Sequence, residues 1–208
     1  MQFDHNPFLI IISSPSGAGK STLCDMIIKN DSNIKLSISA TTRQKRPKEI
    51  DGQDYFFIDQ NQYKTLIDDD QFLEHAKIFN NHYGTPKKYV KEQLDEGKDV
   101  LFDIDWQGAR QILAKFDPKN VLKIFILPPS IAELQKRLQS RAQDNAKTVE
   151  DRMKEAKNEV SHYDEYDFII VNDNLKESYQ KIVNIINGYR VKRYKKNQLQ
   201  SFIDKLLK

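Results

Sequence analysis

Cysteine is nearly missing. Cys24 stands alone among 208 residues, which excludes an intramolecular disulfide framework. With nothing else marking the chain for export, a reducing, cytoplasmic setting is expected. Long apolar runs are missing as well. The clearest one, FLIII at 8–12, is far too short to cross a bilayer and follows Asp4 and His5 rather than a basic segment with a cleavage site, so neither a membrane span nor a leader is expected. The four histidines, His5, His75, His82 and His162, show no ligand spacing among themselves or with Cys24, which argues against a zinc site. Internal repeats and low-complexity stretches are also lacking. The length suits one globular domain with insertions.

Charge of either sign is nearly balanced, at +3 overall, but it is unevenly placed: residues 189–208 carry seven Lys or Arg against one Asp, leaving −3 for the first 188 residues. A basic tail can bind nucleic acid or membrane, yet a solvated helix face is the commoner use, and neither partner is expected here.

Strand-length apolar runs recur at 8–12, 100–104 (VLFDI), 123–127 (KIFIL) and 168–171 (FIIV), separated by helical patterns. This alternation predicts an α/β fold with a mainly parallel sheet. In residues 36–58, Leu36, Ile38 and Ala40 alternate with polar positions, and Asp51-Gly52 suits a hairpin turn before DYFFI, predicting an antiparallel insertion. The polar segment 137–152 breaks a helical pattern at Asp144-Asn145, and Thr148 with Asp151 reads as the next N-cap.

The stretch SSPSGAGKST at 13–22 departs from the phosphate-loop pattern G-x-x-x-x-G-K-[ST] only in having Ser14 at the first glycine. Strand, turn and helix follow in the order that aims backbone N–H groups and a helix N-terminus at phosphate oxygens. Ser14, Pro15, Ser16, Gly17, Ala18, Gly19, Lys20, Ser21 and Thr22 are therefore expected to hold ATP. Lys20 supplies mobile charge, and the Ser21 hydroxyl is a candidate Mg²⁺ ligand. Ser14 precedes proline and is thereby pushed to extended backbone, so glycine is not required there. Further along, Arg43 and Arg46 stand three apart near Ser39, with Tyr55 across the expected hairpin, a set suited to a phosphate dianion. Asp103 and Asp105 alternate about Ile104 at a strand end, where ligands bind in open α/β sheets. Arg137 and Arg141 share a helix face, and Arg152 returns beyond the polar loop.

The stretches SPSGAGKST, SISATTRQKRPKEIDGQDYFF, FLEHAKIFNNHYGTP, VLFDIDWQGA, LPPS, RLQSRAQD and IIVND, in this order, resemble the guanylate kinase family over nearly the whole chain. The resemblance implies a phosphate-loop NTPase core at 1–38, 98–136 and 153–208, a GMP-binding insertion at 39–97 and a mobile lid at 137–152. The implied reaction is transfer from ATP to GMP with Mg²⁺; dGMP as acceptor and the oligomeric state stay open. Ser39, Arg43, Arg46, Tyr55 and Tyr83 fall where the family holds the GMP phosphate, and Glu74, Thr85 and Asp103 where it reads guanine. Asp105 falls near Mg²⁺ or its waters, Asn172 near the adenine, and Arg137, Arg141 and Arg152 where the lid closes on the phosphates. Ala142 departs from the glycine common at that position, a change expected to stiffen the hinge. Two rivals differ in sequence: scaffold domains of this shape that bind phosphopeptides typically lack a working phosphate loop, and a sugar-phosphate kinase would have no use for Glu74 and Thr85.

Overall fold

The apolar run at 8–12 becomes β1 (Leu9–Ser13), buried along its whole length at the middle of a parallel sheet. The computed structural model describes residues 3–78, 80–140 and 146–207, without the side chains of Ile78, Ser140 and 146–152. After β1 come α1 (Lys20–Asn30), β2 (Ile34–Leu36), β3 (Ala40–Thr41), β4 (Phe56–Phe57), α2 (Gln60–Asp68), β5 (Phe72–Ile78), β6 (Asn81–Pro86) and α3 (Lys87–Asp95). Next follow β7 (Asp99–Asp103), α4 (Trp106–Leu113), β8 (Val121–Leu127), α5 (Ile131–Ser140) and α6 (Ala146–Val160). The chain then forms β9 (Phe168–Val171), α7 (Leu175–Lys192) and α8 (Lys196–Leu206).

The main sheet has the order β2-β7-β1-β8-β9, with every pair parallel. Because side chains alternate along a strand, β1 feeds two cores. Ile10 and Ile12 pack with Leu23 and Ile27 of α1 and Ile182 and Ile186 of α7. Leu9 and Ile11 pack on the other face with Phe102, Phe125 and Ile112 of α4. Parallel pairing of β1 with β7 sets Ile12 against Asp103, so the loop after β1 and the carboxylate ending β7 emerge side by side. No helix among the described residues is long and apolar enough to cross a membrane.

The insertion differs from its expected form. Its sheet is mixed, in the order β4-β3-β6-β5, and β3 pairs with β4 in parallel, not as a hairpin. The Asp51-Gly52 turn does form, with Gly52 at φ 76° and its N–H donating to the Tyr55 carbonyl at 2.8 Å. It closes only a local loop, in which Asp51 and Asp54 accept from the backbone N–H groups of Phe57 and Ile50. The connection crosses over before β4 begins, so β4 runs in the same direction as β3. The antiparallel pairs are β3 with β6 and β5 with β6. Leu36 likewise belongs to β2 in the main sheet. The expected helix break at Asp144-Asn145 lies outside the described residues. Because α6 already begins at Ala146, Thr148 sits within the helix and does not cap it.

The basic tail folds as a helix on the amino-terminal segment. Gln198 exchanges hydrogen bonds with Asp4 at 2.8 and 2.9 Å, and the ring of Phe202 meets that of Phe3.

Candidate functional site

The phosphate loop turns on two glycines in the left-handed region, Gly17 at φ 90° and Gly19 at φ 97°. Both also lack room for a Cβ. At Gly17 it would lie 3.1 Å from Leu134 of α5, and at Gly19 only 2.5 Å from the Asn172 side-chain nitrogen. Ser14 has no positive φ, is buried, and donates its hydroxyl to the Pro15 carbonyl, so its Cβ is accommodated as the sequence predicts. Ala18 is fully buried, with its N–H turned inward to the Pro15 carbonyl at 3.1 Å. Thr22 is exposed at the start of α1.

Lys20 leads α1 into a cavity of about 250 Å³. Its Nζ lies 2.6 Å from Asp103 Oδ1 and donates to the Ile104 carbonyl at 3.1 Å. Ser21 Oγ donates to the other Asp103 oxygen at 3.0 Å. Expected among the guanine readers, Asp103 thus spends its hydrogen bonds on the phosphate-loop side. Asp105 lines the same cavity and accepts the Gly108 N–H at 2.8 Å as the N-cap of α4, leaving one carboxylate oxygen without a part in the cap.

Asn172 follows β9 and is 4% exposed; its Nδ2 donates to the Ala18 carbonyl at 2.8 Å, bracing the loop from beneath. Its Oδ1 is buried without a partner among the described residues. Both terminal nitrogens of Arg137 lie 3.4 Å from the Asn172 carbonyl, while Nε donates to Glu133 at 2.9 Å. Arg141 lies outside the described residues. Arg152 is on α6, but its side chain is outside the description too.

The second half of the site is built on the insertion. The β5–β6 register sets Glu74 opposite Thr85, and Thr85 Oγ1 donates to Glu74 Oε1 at 2.6 Å. Ser39 Oγ is 3.3 Å from the same threonine hydroxyl. Glu74 is only 6% exposed. Burial pushes its carboxyl above the ordinary range, opposed by the Thr85 bond and reinforced by the charge of Asp105. Gly108 faces Oε2, where a Cβ would come within 3.3 Å, so the glycine leaves that oxygen uncrowded.

Arg43 lies over the Tyr55 ring at 5.4 Å, and Tyr55 meets Tyr83 edge to face. Burial raises the Tyr55 phenol, which keeps it a hydrogen-bond donor. Arg46 is exposed at the rim. Glu49, which the sequence reading passed over, accepts from Arg43 at 2.6 Å and from the Arg46 backbone N–H at 2.8 Å, and Arg43 holds its carboxyl below the usual range. The one acid three residues after Arg46 in a basic stretch was its available signal. A second overlooked acid, Glu159 of α6, accepts the Ser16 N–H at 3.0 Å. Nothing local in the sequence marks it.

The guanylate kinase family model matches residues 6–189. Guanylate kinase of Rickettsia prowazekii (strain Madrid E) is 50% identical over 194 residues, covering 93% of this chain and 98% of the relative. That of Maricaulis maris (strain MCS10) is 47% identical over 199 residues, covering 96% and 91%. The crystal structure of guanylate kinase from Anaplasma phagocytophilum superposes with a TM-score of 0.72 at 34% identity, covering 91% of this chain and 89% of that one.

Proposed function

The chain belongs to the guanylate kinase family, and from that membership we propose a cytoplasmic enzyme of purine nucleotide recycling that moves the γ-phosphoryl group of ATP onto GMP, giving ADP and GDP. A phosphate oxygen of GMP attacks the γ-phosphorus, the bond from that phosphorus to the β,γ-bridging oxygen breaks, and ADP carries that oxygen away. The attacking oxygen is already anionic, so no side chain has to remove a proton. Placed positive charge does most of the work in such a transfer. In this reading Lys20 serves the donor phosphates, Arg43, Arg46, Tyr55 and Tyr83 the acceptor phosphate, and Arg137, Arg141 and Arg152 the charge that moves between them.

Magnesium suits the hard oxygen donors gathered after β1 and β7: the Ser21 hydroxyl and Asp103 carboxylate, 3.0 Å apart, with Asp105 on the same cavity. Held there with the nucleotide, such an ion would neutralise phosphate charge. Asp103 thus has a role beyond the ion: it holds Lys20 and Ser21 in place, and the family resemblance adds the acceptor. Asn172, set under the loop, serves the adenine side by holding the Ala18 carbonyl with its side-chain amide, while its own carbonyl faces Arg137.

The observation carrying the acceptor assignment is the buried Glu74–Thr85 pair, joined at 2.6 Å. Guanine presents N1–H and N2–H side by side, which one carboxylate can accept together, and Thr85 can turn its hydroxyl to O6. Adenine would set a ring acceptor against that carboxylate. A site built on such bonds rejects the wrong analogue by about 10⁴-fold or more. A coupled ADP-release assay with GMP, dGMP, AMP and ribose phosphates tests this. Turnover with GMP, sharply reduced in Glu74→Ala while ATP still binds, is expected; near-normal GMP turnover by that variant would remove Glu74 from base recognition.

A further inference from the structure

The carboxylate of Glu159 occupies a place on the phosphate loop that a nucleotide needs. Near the C-terminal end of α6, it accepts the Ser16 N–H at 3.0 Å and borders the cavity that holds Lys20. Ser16 follows Pro15, which has no N–H, so this is the first amide after the proline that the loop can offer a phosphate oxygen. An N–H has one hydrogen to give, and two anions crowded at one donor repel. Glu159 and a donor phosphate therefore compete for that position.

The helix carrying Glu159 is also tied to the loop by packing. Ala156 of α6 is buried with Leu134 and Leu138 of α5, the two leucines that close on Gly17. Seven residues before Glu159, two turns back along α6, stands Arg152.

We propose that Glu159 is a positioning residue that takes the Ser16 N–H as a donor phosphate oxygen would, and gives way when the nucleotide arrives. Burial holds the Glu159 carboxyl above its ordinary range, with the Ser16 bond and the charge of Lys20 opposing that shift. Its ionised form therefore gains solvation on leaving. The proposal rests on reading the loop as the donor-phosphate site.

The test uses inorganic tripolyphosphate and ATP, titrated calorimetrically into the wild-type chain, Glu159→Gln, Glu159→Ala and Lys20→Ala, with steady-state kinetics alongside. Both Glu159 variants are expected to bind tripolyphosphate and ATP about tenfold more tightly, the lower end of the scale of one hydrogen bond to a charged group. KM for ATP should fall while KM for GMP stays unchanged, a split that a general loss of structure would not give. Unchanged or weaker binding in both variants, with Lys20→Ala abolishing it, would overturn the stand-in role and leave the loop assignment in place. Undiminished tripolyphosphate binding by Lys20→Ala would overturn both.

Discussion

Gly19→Ala puts the strain of the phosphate loop to a quantitative test. The new Cβ meets two independent costs. At φ 97° a residue with a side chain occupies backbone space that L residues rarely adopt, a penalty of about 1–2 kcal/mol. The same Cβ would sit 2.5 Å from Asn172 Nδ2, so the amide has to leave and the Ala18 carbonyl loses its 2.8 Å bond inside the protein. Leaving a buried polar group unpaired costs about 1–3 kcal/mol. Together they predict a loss of about 2–5 kcal/mol in unfolding free energy, read from urea denaturation, with most ATP binding and turnover lost as the loop opens. A double-mutant cycle separates the two costs. In an Asn172→Ala background the clash is gone, and Gly19→Ala should cost only the backbone share of about 1–2 kcal/mol. Ser14→Gly is the control: with no positive φ to relieve, it should change ATP affinity by less than about 1 kcal/mol. A Gly19→Ala protein with wild-type stability and ATP affinity, or an equal cost in both backgrounds, would refute this account. Tenfold tighter ATP binding by Ser14→Gly would show that serine does impair the loop.

Two further outcomes concern groups away from the loop. Glu74 has a raised pKa in the folded chain, so folding favours its protonated form. Its contribution to stability is fully present below the ordinary glutamate value of 4.5 and is lost as pH rises through the raised one. Glu74→Gln should accordingly raise Tm at pH 7.5 and lose that advantage as pH falls toward 4.5; a Tm below wild type throughout would contradict a desolvated carboxylate. Asp99 is fully buried, accepts a hydrogen bond from Arg190 Nε at 2.9 Å, ion-pairs with the same guanidinium and lies 2.9 Å from His5 Nε2, a knot joining β7, α7 and the amino-terminal segment. Arg190→Ala should cost about 3–5 kcal/mol in urea denaturation, since it strands a buried charge; a loss under 1 kcal/mol would mean His5 and water suffice.

What the sequence revealed followed how local each feature is. β1, the glycine turn and α1 are contiguous, so their order, the need for Gly17 and Gly19 and the tolerance of Ser14 could all be reasoned from neighbouring residues. The Asp51-Gly52 turn was legible for the same reason, and it formed. The direction of β4 was not, because β3 and β4 are two residues each, too short for periodicity, and their pairing is decided by the chain crossing over between them. Glu74 and Thr85 meet through the register of β5 on β6, which no single stretch encodes, and only the family resemblance pointed to both. Asn172 shows the limit most plainly. Read alone it is a polar residue ending a strand, and the expectation of an adenine contact came from resemblance. Its bond to Ala18 depends on β9 lying next to β8, β8 next to β1, and Gly19 having no Cβ where the amide passes. The glycine and the asparagine, 153 positions apart in the chain, are two halves of one packing decision. The sequence displayed the backbone requirement at Gly19, and only the folded chain shows that the same absent methyl also admits the group that holds the loop in shape.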